Sequence, residues 1–151
     1  MSLCSYPLQR YLHDQQRGKQ RDYLIRVHQV RFAPSALNAD FTDQSNVEPA
    51  EPFIWIATTG YAFDFATGNQ VTPNALVTVR LGGPGGRSFS RDSVHWMNGI
   101  GAGTMPFYLG APAPINGGST IHVTLRQLTG VLTLRLGILF LGVRLRRWRF
   151  V

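Results

Sequence analysis

The sequence predicts an all-β fold, a single β-sandwich or jelly-roll-like domain preceded by an N-terminal arm. Three observations lead there. Stretches such as "DYLIRVHQVRF", "ALVTVRLG" and "TIHVTLRQLTG" alternate in polarity with a period of two, the periodicity of a strand. Turn residues recur roughly every ten to twenty positions, which divides the chain into about seven or eight strands. No segment carries a long amphipathic helical pattern. With 16 glycines, 9 prolines and only 15% charged residues, the composition suits short strands joined by turns. A chain of 151 residues is long enough for one domain with a proper core.

Residues 1 to 22 read as the arm, rich in Gln and Arg, with a weak helical pattern around Leu8, Tyr11 and Leu12. So polar a segment buries too little apolar area to offset its ordering entropy, and it is expected to order only on a partner. It lacks the apolar stretch of a signal peptide. Cys4 is the only cysteine, so no disulfide forms within the chain, and an inert thiol is expected. The sandwich then runs from 23 to 151. In its first strand Leu24, Arg26, His28 and Val30 share one face, and Tyr23, Ile25, Val27 and Gln29 the other. Residues 33 to 52 form a long polar connection carrying Asp40, Asp43, Glu48 and Glu51.

"FIWIATTG" is apolar on both faces, as a core strand can be, and "YAFDFATG" ends in a turn at Gly68-Asn69. In "ALVTVRLG", Leu76, Thr78 and Arg80 oppose Val77, Val79 and Leu81. "DSVHWMNGIGAG" is a short apolar piece with a glycine-rich end. Prolines 106, 112 and 114 make "TMPFYLGAPAPINGGS" extended or irregular. In "TIHVTLRQLTG", Ile121, Val123 and Leu125 oppose His122, Thr124 and Arg126. "VLTLRLGILFLGVRLRRW" closes the chain as one long strand or two. Its uninterrupted apolar run, Leu136 to Val143, is far short of the roughly 20 residues that span a bilayer, so no membrane segment is expected.

The chemistry of sites is sparse. "GGPGGRS", residues 82 to 88, has arginine where a phosphate-binding loop needs lysine, and no helical periodicity follows it. A strand connection is the better reading of it. The four histidines, His13, His28, His95 and His122, are far apart and show no metal-ligand spacing. No nucleophile elbow supports a Ser-His-Asp arrangement, and Asp92 reads as a turn cap. No enzyme, catalytic residue, metal or cofactor is therefore expected.

Charge is more informative. The net charge is +7, and residues 93 to 151 hold six arginines and no acid. Arg144, Arg146, Arg147 and Arg149 crowd the end, interleaved with Trp148 and Phe150. Basic residues between aromatics suit single-stranded nucleic acid. They equally suit docking on an acidic, partly apolar protein surface, and docking is the preferred reading. A weaker alternative is a lectin-like carbohydrate-binding module with Trp55 or Trp96 as a stacking platform.

Four stretches stand in order: Gly86-Arg87-Ser88-Phe89-Ser90, Pro106-Phe107-Tyr108-Leu109, Gly118-Ser119-Thr120-Ile121-His122-Val123, and Leu139-Phe140-Leu141-Gly142. Together they resemble the small β-sandwich virion proteins of tailed bacteriophages, over about residues 53 to 145. The resemblance implies a structural, non-catalytic protein located in the virion, stabilising or decorating the capsid, or seated at the neck or head-tail junction. Its implied partners are other virion proteins (major capsid, portal, neck or tail) and further copies of itself in a homo-oligomer. Nucleic acid is the alternative partner, through the arginine-rich ends. Arg87 would supply donors at the base of an assembly loop. That family ends in Gly-Tyr or Gly-Phe after its last apolar run, whereas this chain continues from Gly142-Val143 into an arginine tail.

Overall fold

The computed structural model describes residues 21–83, 88–89 and 92–147, the strand ends 21–24 and 145–147 as backbone only. The expected arm lies almost wholly outside the described residues. The elements are β1 Arg21–Phe32, β2 Asp40–Asn46, β3 Phe53–Asp64, β4 Asn74–Gly82 and β5 Val94–His95. They continue with a one-turn helix α1 Trp96–Gly99, then β6 Gly101–Ala102, β7 Met105–Ile115, β8 Thr120–Thr129 and β9 Leu134–Arg147.

The chain forms an all-β sandwich. One sheet has the order β1-β9-β3-β7-β6 and the other β2-β8-β4-β5. Every strand pairing is antiparallel. The pairs β1–β9, β2–β8, β3–β7 and β4–β5 nest inside one another, as in a single long hairpin. Two further pairings, β9 with β3 and β8 with β4, roll that hairpin into two layers.

The core lies between the layers. Val30 and Phe32 of β1 sit beside Ile138 and Leu136 of β9. Ala75, Val77 and Val79 of β4 face them from the other sheet, with Ile121, Val123 and Leu125 of β8. Trp96 from α1 plugs one side and is 2% exposed. A Cβ at Gly60 would run into the Trp96 ring and Ile100, so β3 must be bare there. Trp55 packs edge-on against Phe140 and Phe89, with centroids 5.2 Å and 4.7 Å away.

Three elements depart from the sequence reading. β2 lies within the stretch expected to be a connection, because its sequence, DFTDQSN, is polar at most positions. It is an edge strand paired only with β8, so it needs little apolar surface. The proline-rich stretch is a strand, β7. Residues 109–112 drop out of the pairing with β3, which accommodates Pro112, since prolines are tolerated at such irregularities; Pro106 and Pro114 stay in register with Gly101 and Ile54. Finally, a turn of helix, α1, does follow the glycine stretch, but only after β5 has intervened.

Past the glycine stretch the chain turns back on β4, with a bridge from Ser88 to Arg80 and a hydrogen bond from the Phe89 N–H to the Val79 carbonyl. Gly83 has φ of +95° and sits 3.2 Å, measured from a Cβ built on it, from the Gly118 carbonyl oxygen. Only glycine meets both demands without strain.

One end of the sandwich is closed by residues 47–52. Glu48 pairs with Arg26 at 3.3 Å, and Glu51 pairs with Arg144. Beneath them His28 is 6% exposed. Its Nδ1 lies 3.0 Å from the Ser45 hydroxyl, and its ring meets Phe53 edge-on at 4.6 Å.

Candidate functional site

An antiparallel sandwich normally turns apolar side chains inward and polar ones outward. The four-stranded sheet obeys this. Its outer face carries Thr42, Thr124 and Thr78 in one row and Gln44, His122 and Arg80 in the next. Several polar groups on this face pair with one another or with the adjoining chain. Arg126 grips Asp40 with two hydrogen bonds of 2.7 and 2.8 Å, and Thr78 shares a 2.8 Å bond with Ser93. The Arg126 guanidinium holds the Asp40 carboxyl below its ordinary range.

The outer face of the five-stranded sheet does not obey it. Register fixes its rows across β1, β9 and β3. The first row is Ile25, Val143 and Ile54; the second is Val27, Leu141 and Ala57. Then come Gln29, Leu139 and Thr59, then Arg31, Gly137 and Tyr61, and last the pair Arg135 and Phe63. Ile25 is 88% exposed and Val27 43%. Ile54, Ala57 and Val143 are buried yet stand outside the main core cluster. None of these rows contains a carboxylate.

The local cause lies in β1. Its two faces were legible in the sequence, but the face holding Arg26 and His28 is the one turned inward. Val30 and Phe32 commit that face to the core, and Ser45 and Glu48 supply partners for the two polar residues. The apolar Ile25 and Val27 are left outside.

At the other end the face becomes aromatic and basic. Tyr61 lies across Gly137, where any Cβ would collide with its ring. The Tyr61 hydroxyl accepts a 2.9 Å bond from Gln29, whose own carbonyl accepts one of 3.2 Å from Arg31. Tyr61 and Phe63 are near-parallel at 15°, with centroids 6.4 Å apart. Phe65, 67% exposed, follows just past β3, and the Arg135 guanidinium sits 5.2 Å above its ring.

The structure scatters the residues singled out from sequence. Arg144 faces inward at the closed end, half-buried against Glu51. Arg146 and Arg147 continue β9, opposite Asp22 and Arg21. Arg87, Trp148, Arg149 and Phe150 lie outside the described residues. Trp55 and Trp96 are 5% and 2% exposed, so neither is a stacking platform; both rings fill the core. Sequence reasoning missed Ile25, Val27, Arg31, Tyr61, Phe63, Phe65 and Arg135 as a group. The signal was in "YAFDF", where aromatics recur at every second position.

Among the described residues no three His, Cys, Asp or Glu side chains group to hold a metal ion. No helix among them is long and apolar enough to cross a membrane. No protein-family model, no curated protein and no solved structure matches this chain.

Proposed function

We propose that this chain is a structural protein of a tailed-bacteriophage particle. Its role is to stabilise the capsid or the head-tail region by binding other virion proteins and copies of itself, with no chemical step. The observation that carries the reading is the outer face of the five-stranded sheet. Exposed Ile25 and Val27, continuous with Leu139 and Leu141, form an apolar surface on a sandwich whose opposite face is polar. Burying one such side chain is worth roughly 1.5–3 kcal/mol, so a protein neighbour that covers several gains useful affinity. Contiguous exposed apolar surface of this kind marks a contact site.

Two further features support it. The nested pairing of β1–β9, β2–β8, β3–β7 and β4–β5 across two sheets supports a jelly-roll reading of the sandwich, an architecture used by viral capsid domains. Lectins and cupins use it too; an exposed aliphatic surface such as that of Ile25 and Val27 suits a protein neighbour, whereas small-ligand sites are concave and carry a few precisely placed polar groups. The four stretches that resemble small phage virion proteins point the same way.

The experiment is to purify particles of the phage that encodes the chain through a density gradient and identify their proteins by mass spectrometry. The chain is expected in the particle fraction at a fixed ratio to the major capsid protein. Its confinement to the soluble lysate would overturn the proposal.

A further inference from the structure

We infer that the aromatic and basic end of the five-stranded sheet's outer face binds single-stranded nucleic acid. This goes beyond the assembly role and does not depend on it. The two ends of the face differ in chemistry. Ile25, Val27 and Leu141 offer only apolar contact, whereas Tyr61, Phe63 and Phe65 offer rings and Arg31 and Arg135 offer guanidinium groups.

Single strands are held by aromatic side chains that stack on bases and by a positive surface that tracks the phosphates. All three rings follow one another along and just past β3, at every second residue. The 6.4 Å between the Tyr61 and Phe63 centroids is close to twice the spacing of about 3.4 Å between bases along one strand of a duplex. Neighbouring rings therefore match every second base at that step, or adjacent bases of a strand drawn out to about twice it. Phe65 keeps most of its surface in solvent.

Charge complementarity selects an anionic occupant. Arg31 stands on β1 and Arg135 on β9, both on the same side of Tyr61 and Phe63. Neither forms an ion pair among the described residues: the Arg31 guanidinium binds Gln29, and that of Arg135 binds the Leu134 carbonyl. Two carboxylates adjoin the site: Asp64, between Phe63 and Phe65, is engaged by the Thr133 and Thr67 hydroxyls and the Ala66 N–H, and Asp43 accepts a 2.8 Å bond from the Arg31 backbone N–H. Planar guanidinium groups suit phosphate. An acidic peptide would satisfy the arginines but would leave three rings without the planar partners that their spacing fits.

The test is fluorescence anisotropy of the full chain with a fluorescein-labelled oligothymidylate of about 20 nucleotides, longer than one typical site, titrated at several salt concentrations. Wild type is expected to bind, and to weaken as salt rises. Phe65→Ala, at an exposed position outside the strands, is expected to weaken binding about five-fold to a hundred-fold with the salt dependence retained. Arg31→Gln and Arg135→Gln are each expected to reduce the slope of log affinity against log salt by about 0.7. Thermal melts of each variant confirm that the fold is retained. Three results would overturn the inference. One is no binding by wild type at low salt. Another is binding unchanged in all three variants. The third is labelled polyglutamate binding as tightly as the oligonucleotide with the same dependence on Phe65.

Discussion

His28 is a titratable ring drawn almost wholly into the protein, and its environment sets a pH dependence. Burial lowers its pKa from 6.5, the nearby Arg26 charge lowers it further, and Glu48 opposes both. The unfolded chain thus binds more protons than the folded one as pH falls below about 6.5. Stability from this group is complete above that value and is lost as pH drops through the folded pKa. Melting temperature is expected to fall between pH 7 and pH 5, and His28→Gln is expected to flatten that part of the curve; an equal slope in the variant would show that His28 is not responsible. Asp40 and Asp64 act in a lower window. Arg126 depresses the first, and the Thr133 hydroxyl and the Ala66 N–H depress the second, so their contribution is present above pH 3.8 and lost below it. Gly60 illustrates a steric demand instead. Its missing side chain makes room for Trp96 and Ile100, and Gly60→Ala is expected to cost about 1–3 kcal/mol by overpacking. At this chain length that lowers the melting temperature by roughly 2–12 °C, readable by circular dichroism.

Among the elements, those legible in the sequence were the strands whose burial alternates and β3, whose unbroken apolar run marks a core strand. β4, β8 and β9 show their inner faces as Val77 and Val79, Ile121 to Leu125, and Leu136 to Phe140. β2 was not legible, because an edge strand with one neighbour can be built from Asp, Thr, Gln and Asn. Neither was β7, whose three prolines obscure a strand in which only Pro112 falls where the pairing with β3 lapses. β1 was legible as a strand but not in its orientation: only pairing with β9 and the approach of Ser45 and Glu48 decide that His28 faces inward and Ile25 outward. The candidate face was hidden for the same reason, since its rows are assembled from three strands remote in sequence. The connection 47–52 is tied to β9 by the pair of Glu51 and Arg144, each with about a quarter of its side chain exposed. Glu51→Ala and Arg144→Ala are expected to be non-additive, with a coupling energy of about 1 kcal/mol in a double-mutant cycle. Additive effects would mean that the pair contributes nothing beyond its separate side chains.

At the scale of the whole molecule the sandwich is two-sided in chemistry. The outer face of the four-stranded sheet is polar and partly cross-linked by its own hydrogen bonds; that of the five-stranded sheet grades from exposed aliphatic residues to rings and arginines. A net charge of +7 adds long-range attraction toward acidic partners. Under the proposed function, the aliphatic end of this face seats the protein in a particle. The most direct measurement is the amount of chain recovered in purified particles when Ile25→Glu and Val27→Glu are combined. The control is the pair Thr42→Glu and Gln44→Glu, which places the same charges on the polar face. Both variants are expected to melt close to wild type. The first is expected to be depleted from particles at least about ten-fold, since burying each lost apolar side chain is worth roughly 1.5–3 kcal/mol, while the control incorporates normally. Normal incorporation of the Ile25 and Val27 variant, with its melting temperature unchanged, would contradict the claim.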